Sequence, residues 1–285
     1  MKKLVVQSFA KINICLDITG VREDGYHLLD TIMLPISLHD TLLIQETSRV
    51  IDNYITLDEF TIGDSQYNTV TKAINYLEDK YQLNTKFKID LHKVIPMKAG
   101  LGGGSSNAAF TLKAITQYKK INISENELIN AAVKIGADVP FFIKNKPARC
   151  KGIGEIIEPI NIKNDYYVFL VKPEKGCSTQ NVFFAADKKH KYPHGNVENV
   201  VKALEKGDDE LLANSVFNVL EESSIELVPE IQTVKDELKE IGFKIVLMSG
   251  SGSAVFGLTR DKKLLKVANK KLENKYHTIV AKVLK

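Results

Sequence analysis

Residues 100–104 constrain the fold of this chain most, because four of these five positions are glycine. They follow residues 87–94, where apolar and polar side chains alternate as in a half-exposed strand. They precede residues 105–115, where apolar side chains recur at a helical spacing. Glycine admits positive φ and lets a ligand touch the backbone, and a helix start offers free N–H groups. The stretch therefore predicts a phosphate-binding loop between a strand and a helix.

The segment around these glycines supplies the candidate nucleotide-binding residues. They are Pro96, Met97, Lys98, Ala99, Gly100, Leu101, Gly102, Gly103, Gly104, Ser105 and Ser106. Ser105 and Ser106 can donate hydroxyls to phosphate oxygens or ligate Mg²⁺. The segment is not a Walker A motif, since no Gly-Lys-Ser/Thr follows, and it lacks the spacing of the dinucleotide fingerprint. The alternative is a flexible turn whose glycines only change the direction of the chain.

The chain is long enough for one large or two ordinary domains, with 285 residues of which 44% are hydrophobic. Its formal net charge is +4, and the basic residues are scattered. The densest basic run, residues 188–191, is short and has acidic neighbours, so we predict a solvated surface and no nucleic-acid partner. A mild positive balance still favours anionic substrates.

The cysteines and the apolar runs indicate the compartment. Cys15, Cys150 and Cys177 lie far apart, with neither a C-x-x-C pair nor a metal-ligand spacing. An odd number of separated cysteines fits a reducing cytosol better than a disulfide framework. No run approaches the ~20 apolar residues of a membrane span, and the apolar start ends at Gln7, too early for a signal peptide. We therefore predict a cytoplasmic protein without a membrane partner. A monomer and a homodimer both stay open as alternatives.

Strand and helix patterns mix along the whole chain. Strands are predicted over residues 4–18, 34–47, 50–57, 87–94, 141–143, 166–171, 243–248, 254–258 and 278–283. Helices are predicted after Asn68, Ser105 and Ser124, and over residues 197–206, 208–222 and 229–241. The pattern restarts after about residue 155. We predict an α+β protein with two domains, residues 1–155 and residues 156–285.

Three segments together resemble the motifs of the GHMP kinases, the superfamily of galactose, homoserine, mevalonate and phosphomevalonate kinases. The first is Phe-Ala-Lys-Ile-Asn-Ile at residues 9–14, continuing to residues 19–27; the second is the glycine-rich loop; the third is residues 247–254. The resemblance implies ATP-dependent phosphorylation of a small hydroxyl compound. It also implies the two-domain GHMP kinase fold, with the active site in the cleft between the domains and with ATP and Mg²⁺ as cofactors.

One branch of that superfamily fits best. Ala-Lys-Ile-Asn at residues 10–13, Arg-Glu-Asp-Gly-Tyr-His at residues 22–27, and residues 136–142 and 152–155 are similar to the kinases that act on cytidine-diphosphate methylerythritol. The resemblance implies phosphorylation of the 2-hydroxyl of that small cytidine-diphosphate substrate, in the non-mevalonate isoprenoid pathway. Two alternatives stay open: a GHMP kinase for another alcohol, or a catalytically inactive nucleotide-binding regulatory protein.

Lys11 and Asp138 are the predicted catalytic residues. Asp138 lies between Gly136, which ends a predicted helix, and Pro140, and it matches the family position of the base. Lys11 interrupts an apolar strand, and opposite Asp138 it would keep the carboxylate ionised and steady developing negative charge. The alternatives are a turn or capping aspartate and a lysine at a strand edge. Asn13 shares the strand face of Lys11 and is a candidate for holding the substrate hydroxyl or Lys11 itself.

The resemblance assigns the cytidine pocket to side chains outside the glycine-rich loop. It implies that Tyr26 stacks on cytosine, that His27 donates or accepts a hydrogen bond, and that Phe183 covers the other face, with Thr179 among the substrate contacts. Packing or plain surface exposure is the alternative for each aromatic residue, and neighbouring Phe184 leaves the register open. Residues 249–253 form either a simple hairpin turn or a loop close to the phosphates.

Overall fold

The structure is a computed structural model that describes residues 3–47, 53–57, 60–61, 68–189 and 192–285. Its strands are β1 (Lys3–Val21), β2 (His27–Thr47), β3 (Tyr54–Leu57), β4 (Phe60–Thr61), β5 (Lys86–His92), β6 (Ala148–Gly152), β7 (Ile156–Pro159), β8 (Tyr167–Lys172), β9 (Phe217–Asn218), β10 (Ile245–Met248), β11 (Val255–Thr259) and β12 (His277–Lys282). Its helices are α1 (Thr69–Tyr81), α2 (Gly103–Tyr118), α3 (Glu125–Ile135), α4 (Val139–Lys144), α5 (Thr179–Asp187), α6 (Val197–Lys206), α7 (Asp209–Ser215), α8 (Glu221–Leu227), α9 (Glu230–Ile241) and α10 (Lys262–Leu272). Strands and helices mix as the sequence predicts.

The chain forms two compact units, each assembled from separate stretches. The first unit comprises residues 1–10, 39–95 and 102–145, and the second comprises residues 11–38, 96–101 and 146–285. Two of the unit boundaries fall within strands, one in β1 after residue 10 and one in β2 after residue 38. The division of the sequence into domains of residues 1–155 and 156–285 stays a prediction.

In the first unit, β5 pairs on both of its edges. The second half of β2 runs antiparallel to β5, with Thr41 opposite His92, and β3 runs parallel to β5. Burial alternates along β5, with Phe87, Ile89 and Leu91 inside, as the sequence pattern predicts. Helices α1–α4 pack on one another. Two of them begin at the predicted caps, because Asn68 Oδ1 accepts from Val70 N and a complete capping box encloses the start of α3.

In the second unit, a four-stranded antiparallel sheet has the order β10-β11-β8-β12. The first half of β2 pairs with β6, and Cys15 and Leu16 of β1 pair in parallel with β9. An apolar cluster combines residues of this sheet with the inner faces of α5, α8, α9 and α10. Helix α9 follows Pro229 and ends at Gly242, whose φ of 116° is left-handed, as the sequence predicts.

Two element predictions are wrong. Residues 141–143 lie in helix α4 and not in a strand, because a short apolar run has no readable period and Pro140 favours the first turn of a helix. The predicted helix over residues 208–222 is broken at Val216, where the chain becomes extended and β9 pairs with β1. Helices α5 and α10 are absent from the prediction. The predicted strand 50–57 appears as β3, and its residues 50–52 lie outside the described residues.

The structure describes the cysteines and part of the basic run. The three cysteines are buried and form no disulfide, and burial raises the pKa of the Cys15 thiol to about 12. Among the helices of the described residues, none has the length and apolar character that a bilayer span requires. In the basic run, Lys189 pairs with Glu222 and Glu226, while His190 and Lys191 lie outside the described residues.

Candidate active site

The predicted residues Lys11 and Asn13 lie side by side within strand β1 of the second unit. Both are buried, with 3% and 1% of their surface exposed. Lys11 Nζ donates to Asn13 Oδ1 at 2.5 Å, and Asn13 Nδ2 donates to Thr31 Oγ1 at 2.8 Å. The Thr31 hydroxyl in turn donates to the Cys15 carbonyl at 2.6 Å. Each side chain is fixed by the next, so the Lys11 ammonium occupies one place in a low-dielectric surrounding.

Two loops meet this strand segment. Lys11 N donates to the Leu101 carbonyl at 3.1 Å, which joins residues 96–101 to β1. Asn13 N donates to Ser249 Oγ at 3.3 Å, and Ser249 Oγ donates to the Gly100 carbonyl at 3.0 Å. The three motif segments of the sequence therefore converge within the second unit. We call this cluster, Lys11, Asn13, Thr31, Gly100 and Ser249, the motif hub.

Glycine is required at the two loop positions closest to the hub. Gly100 has a φ of 74°, and a Cβ placed there would lie 1.9 Å from the Ser249 carbonyl oxygen. Gly250 has a φ of 55°, and its Cβ would lie 3.2 Å from both Lys11 Nζ and Asn13 Oδ1. Backbone rather than side chain therefore faces the lysine at this point.

The loop of residues 249–253 joins antiparallel strands β10 and β11, as predicted. Hydrogen bonds to the side chains of Asn218 and Glu221 also hold the backbone at the start of this loop. Asn218 Nδ2 donates to the carbonyls of Met248 and Gly250, at 2.9 and 2.8 Å, and a Glu221 carboxylate oxygen accepts from Met248 N at 2.9 Å. Sequence reasoning missed Asn218 and Glu221. The only available signal would have been a break in the predicted helix 208–222, which would have indicated that these two residues contact a different part of the chain.

In the first unit, helix α2 begins in the glycine-rich loop. Its N-cap is Gly102, with a φ of 69°, and no side chain caps its first turn. This start is two residues earlier than predicted and leaves backbone N–H groups directed outward, as an anion site requires. Ser106 is buried and its hydroxyl donates to the Phe9 carbonyl at 2.6 Å, whereas Ser105 is half-buried.

Two side chains that the sequence did not single out border this loop. The Thr69 hydroxyl donates to the Gly104 carbonyl at 2.8 Å, and Lys93 Nζ lies 3.0 Å from the place of a Cβ on Gly103. Lys93 is held by the fully buried Asp40 at 2.5 Å. A fixed cation beside free helix N–H groups suits a phosphate group.

Asp138 lies in the first unit, at the N-cap of helix α4, and is half-buried. Val139 N donates to the Gly136 carbonyl at 3.1 Å, so a tight turn fixes the backbone before the helix. Pro140 follows in the first turn of the helix, which also limits the backbone. The pairing of Asp138 with Lys11 stays a prediction.

The predicted cytidine residues cluster in the second unit. The His27 and Phe183 rings pack with centroids 4.6 Å apart, and the turn at Gly25 leaves Tyr26 58% exposed. Phe184 is 62% exposed and lies under Lys188, so it is Phe183 that packs on His27. Thr179, one helical turn before Phe183 on α5, is within 2.9 Å of the Ser251 hydroxyl.

Asp187 and Tyr192 complete this cluster, and sequence reasoning missed both. His27 Nε2 lies 2.7 Å from Asp187 Oδ1, and the Tyr192 hydroxyl donates to the same oxygen at 2.6 Å. Burial raises the pKa of Asp187, but the hydrogen bonds from Tyr192 and His27 lower it below its usual value. The carboxylate is therefore ionised at neutral pH, and His27 Nε2 carries the donated proton. The helical spacing of Thr179, Phe183 and Asp187 was the available signal.

The described residues hold no group of three or more His, Cys, Asp or Glu side chains that could bind a metal ion. In kinases, Mg²⁺ is usually held by substrate phosphates, waters and only one or two protein oxygens. The described residues fit Mg²⁺ in that mode. Ser105 and Asp138 are the polar groups near the start of α2 and α4 that could contribute such an oxygen.

Comparison with family descriptions gives two matches. Residues 68–146 match the GHMP kinases N terminal domain, and residues 200–278 match the GHMP kinases C terminal domain. Curated relatives extend the similarity over most of the chain. The 4-diphosphocytidyl-2-C-methyl-D-erythritol kinase of Clostridium acetobutylicum is 40% identical over 88% of this chain and 89% of its own, and that of Clostridium beijerinckii is 35% identical over 96% and 97%.

Solved structures agree with the sequence comparison. A crystal structure of 4-(cytidine 5'-diphospho)-2C-methyl-D-erythritol kinase superposes with a TM-score of 0.81 at 30% identity, covering 98% of this chain and 99% of that one. Homoserine kinase from Cytophaga hutchinsonii superposes with a TM-score of 0.74 at 16% identity, covering 98% and 94%. The similarity to homoserine kinase indicates a common fold. The similarity to the cytidyl-methylerythritol kinase structure includes the amino-acid sequence as well as the fold.

Proposed function

The chain belongs to the 4-diphosphocytidyl-2-C-methyl-D-erythritol kinase family of the GHMP kinases, and we propose that it transfers a phosphoryl group from ATP to the 2-hydroxyl of 4-(cytidine 5'-diphospho)-2-C-methyl-D-erythritol. The reaction would supply the non-mevalonate isoprenoid pathway in the cytoplasm. The single observation that carries the proposal is the motif hub, in which a buried lysine, a buried asparagine and two glycine loops meet.

Phosphoryl transfer depends mainly on positioning and on neutralising charge. We assign the nucleotide phosphates to residues 96–106, where the uncapped start of α2 offers N–H groups. Lys11 stabilises negative charge that develops on the transferred group, and Asn13 holds Lys11 or the acceptor hydroxyl. Asp138 accepts the proton of that hydroxyl. Mg²⁺, when bound with ATP, neutralises phosphate charge.

The cytidyl group is assigned to the cluster of Tyr26, His27, Phe183 and Thr179. A base between Tyr26 and Phe183 would be stacked on both faces. A His27 ring that donates to Asp187 through Nε2 can offer Nδ1 as an acceptor, which suits the exocyclic amino group of cytosine. Uracil carries an oxygen at that position and would be rejected, since two acceptors would face each other.

ADP formation with Mg²⁺ and ATP, measured with and without the cytidyl substrate, tests the reaction. We expect ADP only when the substrate is present, with a new phosphate on its carbon 2. Faster turnover of homoserine or mevalonate would instead assign the chain to another activity of the superfamily. ATP binding without turnover of any of these alcohols would favour a regulatory protein.

Asp138→Ala tests the assigned base. We expect kcat to fall by about 10²–10⁴-fold while ATP still binds, since that is the usual contribution of a general base. Asp79→Ala, at an exposed position of α1 in the same unit, is the control and should leave kcat unchanged. An unchanged kcat in Asp138→Ala would remove the residue from the proton transfer.

A further inference from the structure

A cavity lined in part by strand β10 lies entirely within the second unit. It has a volume of about 370 Å³, within the range of small-molecule sites of about 300–1,000 Å³. Val246 and Leu247 of β10 line it together with Phe217 and Val216. The two β10 residues are buried, at 7% and 3% exposure, so the wall is formed by the core itself.

The charged rim of this cavity is unbalanced. Lys235, Lys239 and Lys244 line it, against one carboxylate, that of Glu221. Lys235 forms an ion pair with Glu221, whereas neither Lys239 nor Lys244 forms one with a residue in the described part of the chain. Lys235 and Lys239 are also one turn apart on α9, where like charges repel. Three ammonium groups and one carboxylate complement a ligand with two negative charges.

The floor of the cavity contacts the loop of the motif hub. Asn218 and Glu221 line the cavity, and the same two side chains hold the backbone of Met248 and Gly250. Gly250 is the residue whose missing side chain leaves room for Lys11 and Asn13. A group that draws Lys235 away from Glu221 would therefore change how residues 248–250 are held.

We propose that this cavity binds a small phosphate monoester with an apolar body, and that its occupancy lowers kcat through the Glu221–Met248 contact. A phosphate monoester is close to a dianion at neutral pH, which matches the rim charge. Its apolar part lies against Val216, Phe217 and Val246, and its phosphate lies among the three lysines. The site is separate from the residues assigned above to ATP and to the cytidyl group.

The binding experiment uses the full chain with a saturating non-hydrolysable ATP analogue, so that the nucleotide site is filled. Hexyl phosphate is the probe, titrated by calorimetry beside inorganic phosphate and 1-hexanol. We expect saturable binding of hexyl phosphate, weaker binding of both partial probes, and loss of affinity at high salt. The double variant Lys239→Gln/Lys244→Gln should weaken the binding of hexyl phosphate by about tenfold. The control Lys266→Gln, at an exposed position of α10, should leave the affinity unchanged.

Ala213→Leu provides a second variant, because Ala213 lines the cavity on helix α7 and leucine keeps the helix while filling space. It should abolish probe binding and leave the unliganded rate unchanged. Hexyl phosphate binding that is unaffected by both variants, or no saturable binding at all, overturns the site.

The kinetic measurement rests on the proposed function, whereas the binding measurement does not. With the cytidyl substrate, we expect hexyl phosphate to lower kcat without raising the KM for ATP, and to lose this effect in Lys239→Gln/Lys244→Gln. Binding at the cavity without a change in kcat overturns the coupling. Absence of kinase activity without the probe would count against the proposed function alone.

Discussion

The motif hub and the His27 cluster belong to the same unit but are built differently. The His27 cluster comprises Tyr26, His27, Thr179, Phe183, Asp187 and Tyr192. In the hub, Lys11 and Asn13 are almost completely buried, and backbone and side-chain hydrogen bonds fix each group. In the His27 cluster, Tyr26 is mostly exposed and Asp187 is 45% exposed at its side chain. A buried polar group that loses its partner is costly, whereas an exposed one is solvated by water. We therefore expect hub substitutions to affect kcat and stability, and cluster substitutions to affect KM.

Among substitutions in the motif hub and the His27 cluster, Lys11→Met should have the largest effect on kcat. Methionine removes the charge and keeps most of the length, so kcat should fall by about 10²–10³-fold, as when a preorganised donor is removed from a transition state. Lys3→Met, at an exposed position of the same strand, is the matched control. Steady-state kinetics with both substrates checks this. A change confined to KM would place Lys11 with the binding residues and break the comparison.

Gly100→Ala tests the packing of the hub. The added Cβ would collide with the Ser249 carbonyl, and the left-handed φ adds strain, so the free energy of unfolding should fall by about 2–5 kcal/mol. Gly25→Ala has a similar φ of 85° but open space around it, and should cost only about 1–2 kcal/mol. Urea denaturation of both variants separates the free-energy cost of the steric collision from the cost of the backbone strain. Equal losses would show that the Gly100 contact adds nothing.

Tyr26→Ala should mainly weaken the binding of the cytidyl substrate. Loss of one stacking partner corresponds to about 1–3 kcal/mol in KM, with kcat nearly unchanged. Phe184→Ala removes a neighbouring exposed ring and should change KM by no more than about twofold. Initial rates over a range of substrate concentrations measure both. If Phe184→Ala has the larger effect, the assignment of Phe183 to the pocket is wrong.

Asp187→Asn should have the smallest effect, an increase in KM of about two- to fivefold, because the amide no longer fixes the His27 proton on Nε2. Asp236→Asn on α9 is the exposed control. Since the folded pKa of Asp187 is lowered, its contribution is complete above the ordinary value of about 3.9 and is lost as pH falls through the folded pKa. The wild-type KM should therefore show no Asp187 titration between about pH 5 and 8.

Local sequence patterns predicted the elements whose signals are local. Caps at Asn68 and Ser124, the alternation in β5 and the stop at Gly242 are confirmed, because each depends on residues a few positions apart. The apolar run at residues 141–143 was assigned to the wrong element, since it lies among five consecutive buried residues, 139–143, which carry no period. The helix predicted over residues 208–222 is broken because β9 pairs with β1, a contact between residues about 200 positions apart.

The sequence by itself determined the α+β class, the family, the glycine loop and the identity of Lys11, Asn13 and His27 as candidates, because motif residues and their order are written along the chain. Only the tertiary structure decided that Thr31, Asn218 and Glu221 hold the hub and that Asp187 and Tyr192 fix His27. These partners are ordinary polar residues at long sequence separations. Their role arises from a hydrogen bond that exists only after distant strands and helices have packed together.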